Sequence, residues 1–369
     1  MPEMMIQPWV VINSLLLLGG SVFIIAVVAY FSLRKDTLSQ YDLPLGQRFV
    51  STDPSVVEQS QKALRRIKAK VRAATGRGAA LSGKKRIDHM RNVMDSFFAH
   101  VEVKSKIIST TAGTVPAEWV IAPNVDTSRR LLYIHGGAFF AGSPRSHRVI
   151  TSKLSEIGNC AVLAIDYRLT PEFTRLDCLK DCQEGYVWML NNGPEGGSQA
   201  VNAYVAGDSA GGNLTLCLTA WVRDTEKRAP NAVVALSPIT DSRLASPSIK
   251  ANLESDVILK SLAKQLSWVP SMFVSLVARR LAKHDTKDPR ISPLLGDLSR
   301  LPPILVQASD SEILRDDGRR YVNKAVAAGS NAVLQLWANM PHVWQIFDPE
   351  LPEASEAFEE IKLFLERHT

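Results

Sequence analysis

Ser209 lies in a short stretch whose residue types suit nucleophilic chemistry, "YVAGDSAGGN" at residues 204–213. The residues before the serine are typical of a buried strand, and the apolar run "LTLCLTAWV" after it is typical of a helix. A serine between small residues at such a junction predicts a nucleophile elbow, in which the hydroxyl is exposed at the apex of a strained turn. The alternative is an ordinary glycine-rich turn, because a single G-x-S-x-G motif also arises by chance.

A nucleophilic serine needs a general base, an acid that orients the base, and hydrogen-bond donors for the oxyanion. One known chain order for these groups is serine, then acid, then histidine. Three histidines follow Ser209, namely His284, His342 and His368. His342 comes directly after a predicted strand, in "LWANMPHVWQIF", whereas His284 lies in a polar stretch and His368 is next to the last residue. We therefore predict His342 as the base.

The acid and the oxyanion donors are expected in loops that follow other strands. The predicted strand "PILVQAS" is followed by both Asp310 and Glu312, and the residues alone leave either of them available as the acid. Another predicted strand ends in "LLYIHGGAFF", where two glycines allow backbone N–H groups to approach a ligand closely. We expect the oxyanion donors in this loop.

Short apolar runs alternate with helical stretches from Val101 onward, which predicts an α/β protein with a mostly parallel, buried central sheet and helices on both faces. In such sheets the functional residues collect at the carboxyl ends of the strands. All the candidate residues above follow predicted strands, so the predicted fold places them at one edge of the sheet.

Six motifs occur in an order that resembles the hormone-sensitive-lipase-like esterases, a family of α/β-hydrolases whose hallmark is H-G-G-G before G-D-S-A-G-G. They are "HGGAFF" at 135–140, "DYRLTPE" at 166–172, "GDSAGGN" at 207–213, "DPRISPL" at 288–294, "SEILRDDG" at 311–318 and "MPHVWQIF" at 340–347. The resemblance covers roughly residues 100–369. It implies an α/β-hydrolase fold with a helical cap, and a carboxylesterase or lipase-like enzyme that acts on small-molecule or lipid esters without a metal or organic cofactor.

The resemblance also implies the roles of individual residues. Ser209 matches the nucleophile and His342 the base, and the register of the acid motif places Glu312, not Asp310, in the catalytic position. The matching oxyanion donors are the backbone N–H groups of Gly137, Ala138 and Ala210. His135 is implied to brace the oxyanion loop by hydrogen bonding.

Two departures from the family pattern stand out. Ala138 replaces the third glycine of H-G-G-G, which keeps the N–H group but adds a methyl group. After "DYRLTPE" the family usually continues with a His-Pro-Phe-Pro stretch, whereas this chain has "FTRLDCLKD".

Two alternative functions remain open. One is amide or acetyl-ester hydrolysis on the same triad, and the other is a small-molecule receptor that has lost hydrolysis.

The N-terminal part predicts a membrane anchor. Residues 9–33 contain no charged residue in 25 positions, which as a helix would span roughly 37 Å. A cleaved signal peptide is the rival interpretation, but it would have basic residues before a shorter apolar run. Arg34 and Lys35 follow the run, and this favours a single-pass anchor with the catalytic domain on the cytoplasmic side.

The formal net charge of +6 comes from one segment, residues 62–91, which has eleven basic residues and a single acidic one, Asp88. Within it, Ala63, Leu64, Ile67 and Val71 fall near one helical face. That face is expected either to lie on an anionic bilayer surface or to pack on the catalytic domain. Nucleic-acid binding is not expected, because no aromatic residues or known motif accompany the charge.

These patterns divide the chain into three parts. Residues 1–35 form the predicted anchor, 36–98 the basic juxtamembrane and cap helices, and 99–369 the catalytic domain, with a further cap piece at about 245–285.

The cysteines show no C-x-x-C pair and no disulfide framework, and free thiols suit a reducing compartment. They are Cys160, Cys178, Cys182 and Cys217. The sequence does not indicate the oligomeric state.

Overall fold

The computed structural model describes residues 38–44, 46–76, 78, 81–98, 101–267 and 271–369. The chain divides into two compact units, Met1–Gln40 and Tyr41–Thr369. The strands and α-helices named below all lie in the second unit. The predicted membrane span at 9–33 lies outside the described residues. Within the described ranges, no helix is both long enough and apolar enough to cross a bilayer.

Eleven strands are formed in the described part of the second unit. In chain order they are β1 Gln47–Phe49, β2 Lys106–Ala112, β3 Val115–Ile121, β4 Arg129–Ile134, β5 Ala161–Ile165, β6 Asn192–Gly193, β7 Gly196–Gly197, β8 Asn202–Asp208, β9 Ala232–Leu236, β10 Ile304–Ser309 and β11 Ala332–Trp337. Nine of them form the central sheet in the order β1-β11-β10-β9-β8-β4-β5-β3-β2, and β6 pairs with β7 separately.

The central sheet is mostly parallel, as predicted. Among its described strands, only β3 runs against its neighbours, antiparallel to both β2 and β5, and all other adjacent strands are parallel. Burial of the central strands fits this arrangement: β5, β9 and β10 are buried along their whole length, β5 and β9 are entirely apolar, and β10 is apolar except for Gln307 and Ser309.

Ten α-helices accompany these strands in the same described part of the chain. They are α1 Pro54–Gly76, α2 Gly83–Phe97, α3 Arg148–Gly158, α4 Arg175–Asn191, α5 Ser209–Asp224, α6 Ser248–Ala251, α7 Lys260–Ser267, α8 Ser271–Ala282, α9 Arg315–Ala327 and α10 Pro352–Glu366. Short 3-10 helices are Ser39–Tyr41, Arg145–His147, Pro293–Leu295 and Trp344–Phe347.

Helices cover both faces of the sheet. Because alternate residues of each strand point to opposite sides, each face packs a different set of strand residues against its helices. On one face, Leu132 and Leu163 pack with residues of α4 and α5, such as Leu214. On the other face, Leu131 and Val162 pack with residues of α3 and α10. The α/β-hydrolase architecture expected from the motifs is therefore confirmed.

Helix α1 packs its apolar face on the domain. Ala63 and Ile67 are buried in a cluster with Trp344 and other residues near α10, and Leu64 and Val71 pack against the same cluster. A buried carboxylate on α10, that of Glu353, accepts hydrogen bonds from Ser60 of α1. The second of the two expected placements of this face, on the catalytic domain, is the one that the structure shows.

The segment before residue 99 also contributes to the central sheet, which the sequence did not indicate. Strand β1 pairs in parallel with β11 at the sheet edge, and the ring of Phe49 stacks on Trp337 with centroids 4.4 Å apart. The predicted cap piece at about 245–285 corresponds to α6, α7 and α8. Its described part joins the domain through Ala263, which packs with Ile313 and Leu314.

Candidate active site

Ser209 lies at a sharp turn between β8 and α5, with a backbone φ of +52°. This left-handed conformation costs a residue with a side chain roughly 1–2 kcal/mol. The small residues around it are required by close packing. A Cβ atom at Gly207 would lie 2.6 Å from the carbonyl oxygen of Ile134, and one at Gly211 would clash with the carbonyl oxygens of Ile134 and His135. The turn has the geometry expected for a nucleophile elbow.

A chain of hydrogen bonds joins the three residues proposed for the triad. The Nε2 atom of His342 is 2.9 Å from the Oγ atom of Ser209, and its Nδ1 atom is 2.5 Å from Oε2 of Glu312. The other carboxylate oxygen, Oε1, accepts a hydrogen bond of 2.8 Å from the backbone N–H of Ser309. Glu312 is fully buried and His342 is 5% exposed, so this carboxylate interacts with the imidazole away from solvent.

Asp310, the other candidate acid, is engaged by residues other than His342. Its carboxylate forms an ion pair of 3.2 Å with Arg48 and accepts a 2.8 Å hydrogen bond from the N–H of Asn339. The structure thus brings Glu312, and not Asp310, to His342.

The pKa of His342 is raised above its ordinary value. Burial lowers this pKa, but the hydrogen bond that the imidazole donates to Glu312 and the charge of that carboxylate outweigh burial, and the carboxylate of Asp256 adds to the increase. The pair therefore stabilises the protonated imidazole, which is the form that a general base reaches after it takes a proton from a hydroxyl.

The loop at residues 135–142, here termed the oxyanion loop, follows β4 and has an unusual backbone. Gly137, Ala138 and Phe139 have φ values of +117°, +54° and +66°. The left-handed backbone at Ala138 explains why glycine suits this position, since an alanine there is strained. Within the described ranges, no protein group accepts a hydrogen bond from the N–H of Gly137, Ala138 or Ala210. The hydrogen-bonding capacity of these three N–H groups is therefore unused within the protein.

A buried network holds the start of the oxyanion loop. Asp208 accepts hydrogen bonds from the hydroxyl of Tyr133 at 2.6 Å and the N–H of Gly136 at 2.9 Å, and it lies 3.4 Å from Nε2 of His147. Burial lowers the pKa of His147, but the charge of Asp208 and its hydrogen bond act in the opposite direction and the pKa lies above its ordinary value. His147 had no predicted role, because nothing in its sequence context indicates a contact with a residue 61 positions away.

His135 also supports this loop. Its ring stacks on Tyr167 with centroids 4.4 Å apart, and its Nδ1 atom is 2.8 Å from the carbonyl oxygen of Gly136. Burial, together with the nearby His147, lowers the pKa of His135 to about 3, so the ring is neutral. Because a carbonyl oxygen only accepts, Nδ1 carries the proton and donates a hydrogen bond to the carbonyl oxygen of Gly136. This contact fits the bracing role that the family resemblance implies.

The cap piece forms hydrogen bonds with the loop that carries Glu312. The side chain of Asn252 donates hydrogen bonds of 2.8 Å to the carbonyl oxygens of Asp310 and Glu312. The carboxylate of Asp256 accepts one from the N–H of Ile313 at 3.0 Å and another from Leu259, just before α7. These two polar residues belong to no recognisable motif, so sequence reasoning missed them.

The remaining candidate residues lie outside this site. His284 forms a hydrogen bond of 2.7 Å with the carboxylate of Asp288, and His368 packs on Phe364. All four cysteines are free and buried. In the part of the chain that the structure describes, no group of three or more His, Cys, Asp or Glu side chains is arranged to hold a metal ion.

Comparison with known proteins identifies the family of this chain. The model of a family described as alpha/beta hydrolase fold matches residues 131–346. The chain belongs to this family. An acetyl-hydrolase of Streptomyces hygroscopicus is 34% identical over 259 residues, which are 70% of this chain and 82% of the relative. The carboxylesterase/phospholipase LipF of Mycobacterium tuberculosis is 34% identical over 262 residues, which are 68% of this chain and 66% of the relative.

A solved structure supports a narrower assignment. An esterase from the bacterial hormone-sensitive lipase family superposes with a TM-score of 0.72 at 32% identity, covering 83% of this chain and 98% of the other. This α/β-hydrolase is therefore a member of the hormone-sensitive-lipase-like esterases, a group of carboxylesterase-like hydrolases.

Proposed function

We propose that this α/β-hydrolase is a serine carboxylesterase that acts on small or lipophilic esters through an acyl-enzyme. The observation that carries the proposal is the hydrogen-bonded chain from Ser209 through His342 to Glu312. A hydroxyl, an imidazole and a buried carboxylate in this order form the arrangement that activates a serine for attack on a carbonyl carbon.

The reaction begins when Ser209 attacks the ester carbonyl and His342 takes the hydroxyl proton at Nε2. The carboxylate of Glu312 keeps the proton on Nδ1 and stabilises the imidazolium that forms. The imidazolium then protonates the alkoxide leaving group, and the alcohol departs. Water, deprotonated by the same imidazole, attacks the acyl-enzyme, which releases the acid and restores Ser209.

The negative charge that develops on the carbonyl oxygen is assigned to the backbone N–H groups of Gly137, Ala138 and Ala210. Each such donor contributes on the order of 3 kcal/mol to stabilisation of the transition state, as judged by removing one. Their lack of protein acceptors in the described ranges supports the assignment. No step requires a metal or organic cofactor.

A substrate panel tests the proposal. We expect turnover of p-nitrophenyl esters, and a series of acyl-chain lengths would identify the preferred chain. An acetyl preference, or hydrolysis of N-acetyl substrates, is the second candidate, favoured by the similarity to the acetyl-hydrolase of Streptomyces hygroscopicus. Binding of esters without turnover would instead contradict the proposal and indicate a receptor.

The proposal also includes a single-pass membrane anchor at residues 9–33, with the catalytic domain on the cytoplasmic side. The uncharged run and the basic residues Arg34 and Lys35 after it support this location. Free, buried cysteines suit the reducing conditions of the cytoplasm. The basic residues of α1 add attraction to anionic lipid, since Arg66 and Lys68 are exposed.

A deletion of residues 1–35 tests the anchor. The shortened chain is expected to leave the membrane fraction at high salt, and any residual binding through α1 should weaken with ionic strength because attraction between exposed charges is screened within about 10 Å at 0.1 M salt. Hydrolysis of a soluble ester should persist. In sealed, right-side-out vesicles of the full chain, added protease should spare the catalytic domain. Digestion without detergent would reverse the proposed orientation.

A further inference from the structure

Arg175 is a buried cation that has no carboxylate partner in the described part of the chain. It is the first residue of α4, it is 5% exposed, and its guanidinium contacts aromatic, amide and carbonyl groups. Burial lowers its pKa to about 10, so the guanidinium still carries its charge at neutral pH. Burying a charge without an ion pair is costly. The contacts of the guanidinium must therefore offset this cost.

The guanidinium lies directly beneath the oxyanion loop. Its Cζ atom is 3.3 Å from the centre of the Phe139 ring, which is the distance of a close cation–π stack. Phe139 is itself 7% exposed and has a left-handed backbone, and it follows Ala138 directly in the chain. A displacement of this ring would therefore move the N–H group of the neighbouring Ala138.

The same guanidinium contacts the helix that begins with Ser209. Its Nη2 atom donates a 2.8 Å hydrogen bond to Oδ1 of Asn213, which lies one turn after Ser209 in α5. The side-chain amide of Asn213 then donates to the carbonyl oxygens of Ile239 at 2.8 Å and Ile291 at 3.0 Å. The N–H of Ile239 in turn is 3.3 Å from the carbonyl oxygen of Ser209.

One cation thus links the two segments that hold the expected oxyanion donors. The loop carries Gly137 and Ala138, and the helix carries Ala210. The loop has a left-handed backbone at two successive residues that are not glycine, Ala138 and Phe139, so it needs such support to keep its conformation. Arg175 lies in "FTRLDCLKD", the stretch where this chain departs from the family pattern.

We propose that Arg175 is a positioning residue for the oxyanion hole, which fixes the oxyanion loop against the nucleophile helix through Phe139 and Asn213. This inference rests on the proposed esterase function. To that function the inference adds a residue that does not touch the substrate but aligns oxyanion donors from two separate segments. Because the donors act on charge that develops only in the transition state, misalignment should lower kcat rather than raise KM.

The test compares Arg175→Met with a matched control, Arg130→Met. Arg130 is 1% exposed and also donates to uncharged acceptors, the carbonyl oxygens of Met189 and Ser198 and the hydroxyl of Ser198. It lies at the start of β4, the end of that strand that is remote from the oxyanion loop. Both variants remove a buried guanidinium, and only one of them removes it from beneath the loop.

We expect Arg175→Met to lower kcat about 100-fold, the effect of a misplacement on the order of 1 Å, with KM changed by less than about threefold. Affinity for a trifluoromethyl ketone, which forms a tetrahedral adduct with the serine, should fall by a similar factor. Arg130→Met should lower the Tm but leave kcat per folded enzyme within about twofold of the parent value. If Arg175→Met does not fold, Arg175→Lys, which keeps the charge but not the planar stack, is expected to lower kcat about tenfold.

The inference is overturned if the folded Arg175 variants keep the kcat of the parent enzyme, or if Arg130→Met loses kcat to the same extent. If the parent enzyme hydrolyses no ester, the proposed esterase function itself is contradicted. The two failures are distinguishable, because the first is measured against an active parent.

Discussion

Replacing Ser209 with alanine is expected to abolish ester hydrolysis, with kcat reduced about a millionfold, while Tm stays nearly unchanged. Ser209 lies at the apex of the turn, and its hydroxyl forms a hydrogen bond with His342. Its removal leaves no nucleophile to form the acyl-enzyme. The fold should tolerate the change, since the serine is partly exposed and alanine can occupy the same left-handed turn at a similar cost.

The measurement is turnover of a p-nitrophenyl ester together with a thermal unfolding curve. Ser311→Ala is a suitable control, because Ser311 lies next to Glu312 but its hydroxyl contacts Asp310 and not the imidazole. This control should keep kcat within a few-fold of the parent enzyme. Residual activity above a few per cent in Ser209→Ala, with contamination excluded, would remove Ser209 as the nucleophile.

Much of the site could be predicted because each of its central residues follows a strand of one parallel sheet. Ser209, Glu312 and His342 come after β8, β10 and β11, and the carboxyl ends of parallel strands meet at the same edge. Position after a strand does not distinguish Asp310 from Glu312, since both follow β10. The register of the family motif pointed to Glu312, and the contacts show its physical basis: Asp310 is engaged by Arg48 and Asn339.

The supporting contacts could not be predicted from local pattern. Arg175 reaches Asn213 across 38 residues, Asn252 reaches Glu312 across 60, and His147 reaches Asp208 across 61. A periodic pattern shows which face of a helix is apolar, but not which polar group on a distant element lies opposite a given side chain. Such pairs depend on the path of the whole chain.

The N-terminal helices show the same limit at the level of whole elements. The amphipathic pattern of α1 was clear, yet the pattern does not say whether lipid or protein covers the apolar face. Packing of Ala63 and Ile67 against the α10 region decides it. Strand β1 was missed because three residues, "QRF", are too short to show any alternation, and its pairing with β11 depends on an edge that the rest of the sheet provides.

Replacing Glu312 with glutamine is expected to lower kcat by about three to four orders of magnitude. Glutamine has nearly the same shape, but its amide lacks the charge that stabilises the imidazolium. It can also present an N–H to Nδ1 and so favour the tautomer with the proton on Nε2, which cannot accept from Ser209. The matched variant Asp310→Asn removes a carboxylate two residues away that contacts Arg48 and Asn339, and it should change kcat only a few-fold. The reverse ranking would transfer the role to Asp310.

The pH dependence of kcat/KM gives this variant a second, independent readout. His342 must be neutral to accept the proton, and its pKa lies above the ordinary 6.5 because the hydrogen bond and charge of Glu312 outweigh burial. In the parent enzyme, kcat/KM should therefore fall as the pH drops through a midpoint above 6.5. Glutamine removes the largest contributions that raise this pKa and leaves burial, which lowers it, together with the smaller effects of Asp256 and Asp208, so the acidic limb of Glu312→Gln should move to lower pH. An unmoved limb, measured on a stable ester across the range in which both proteins remain folded, would show that Glu312 does not set the protonation of His342.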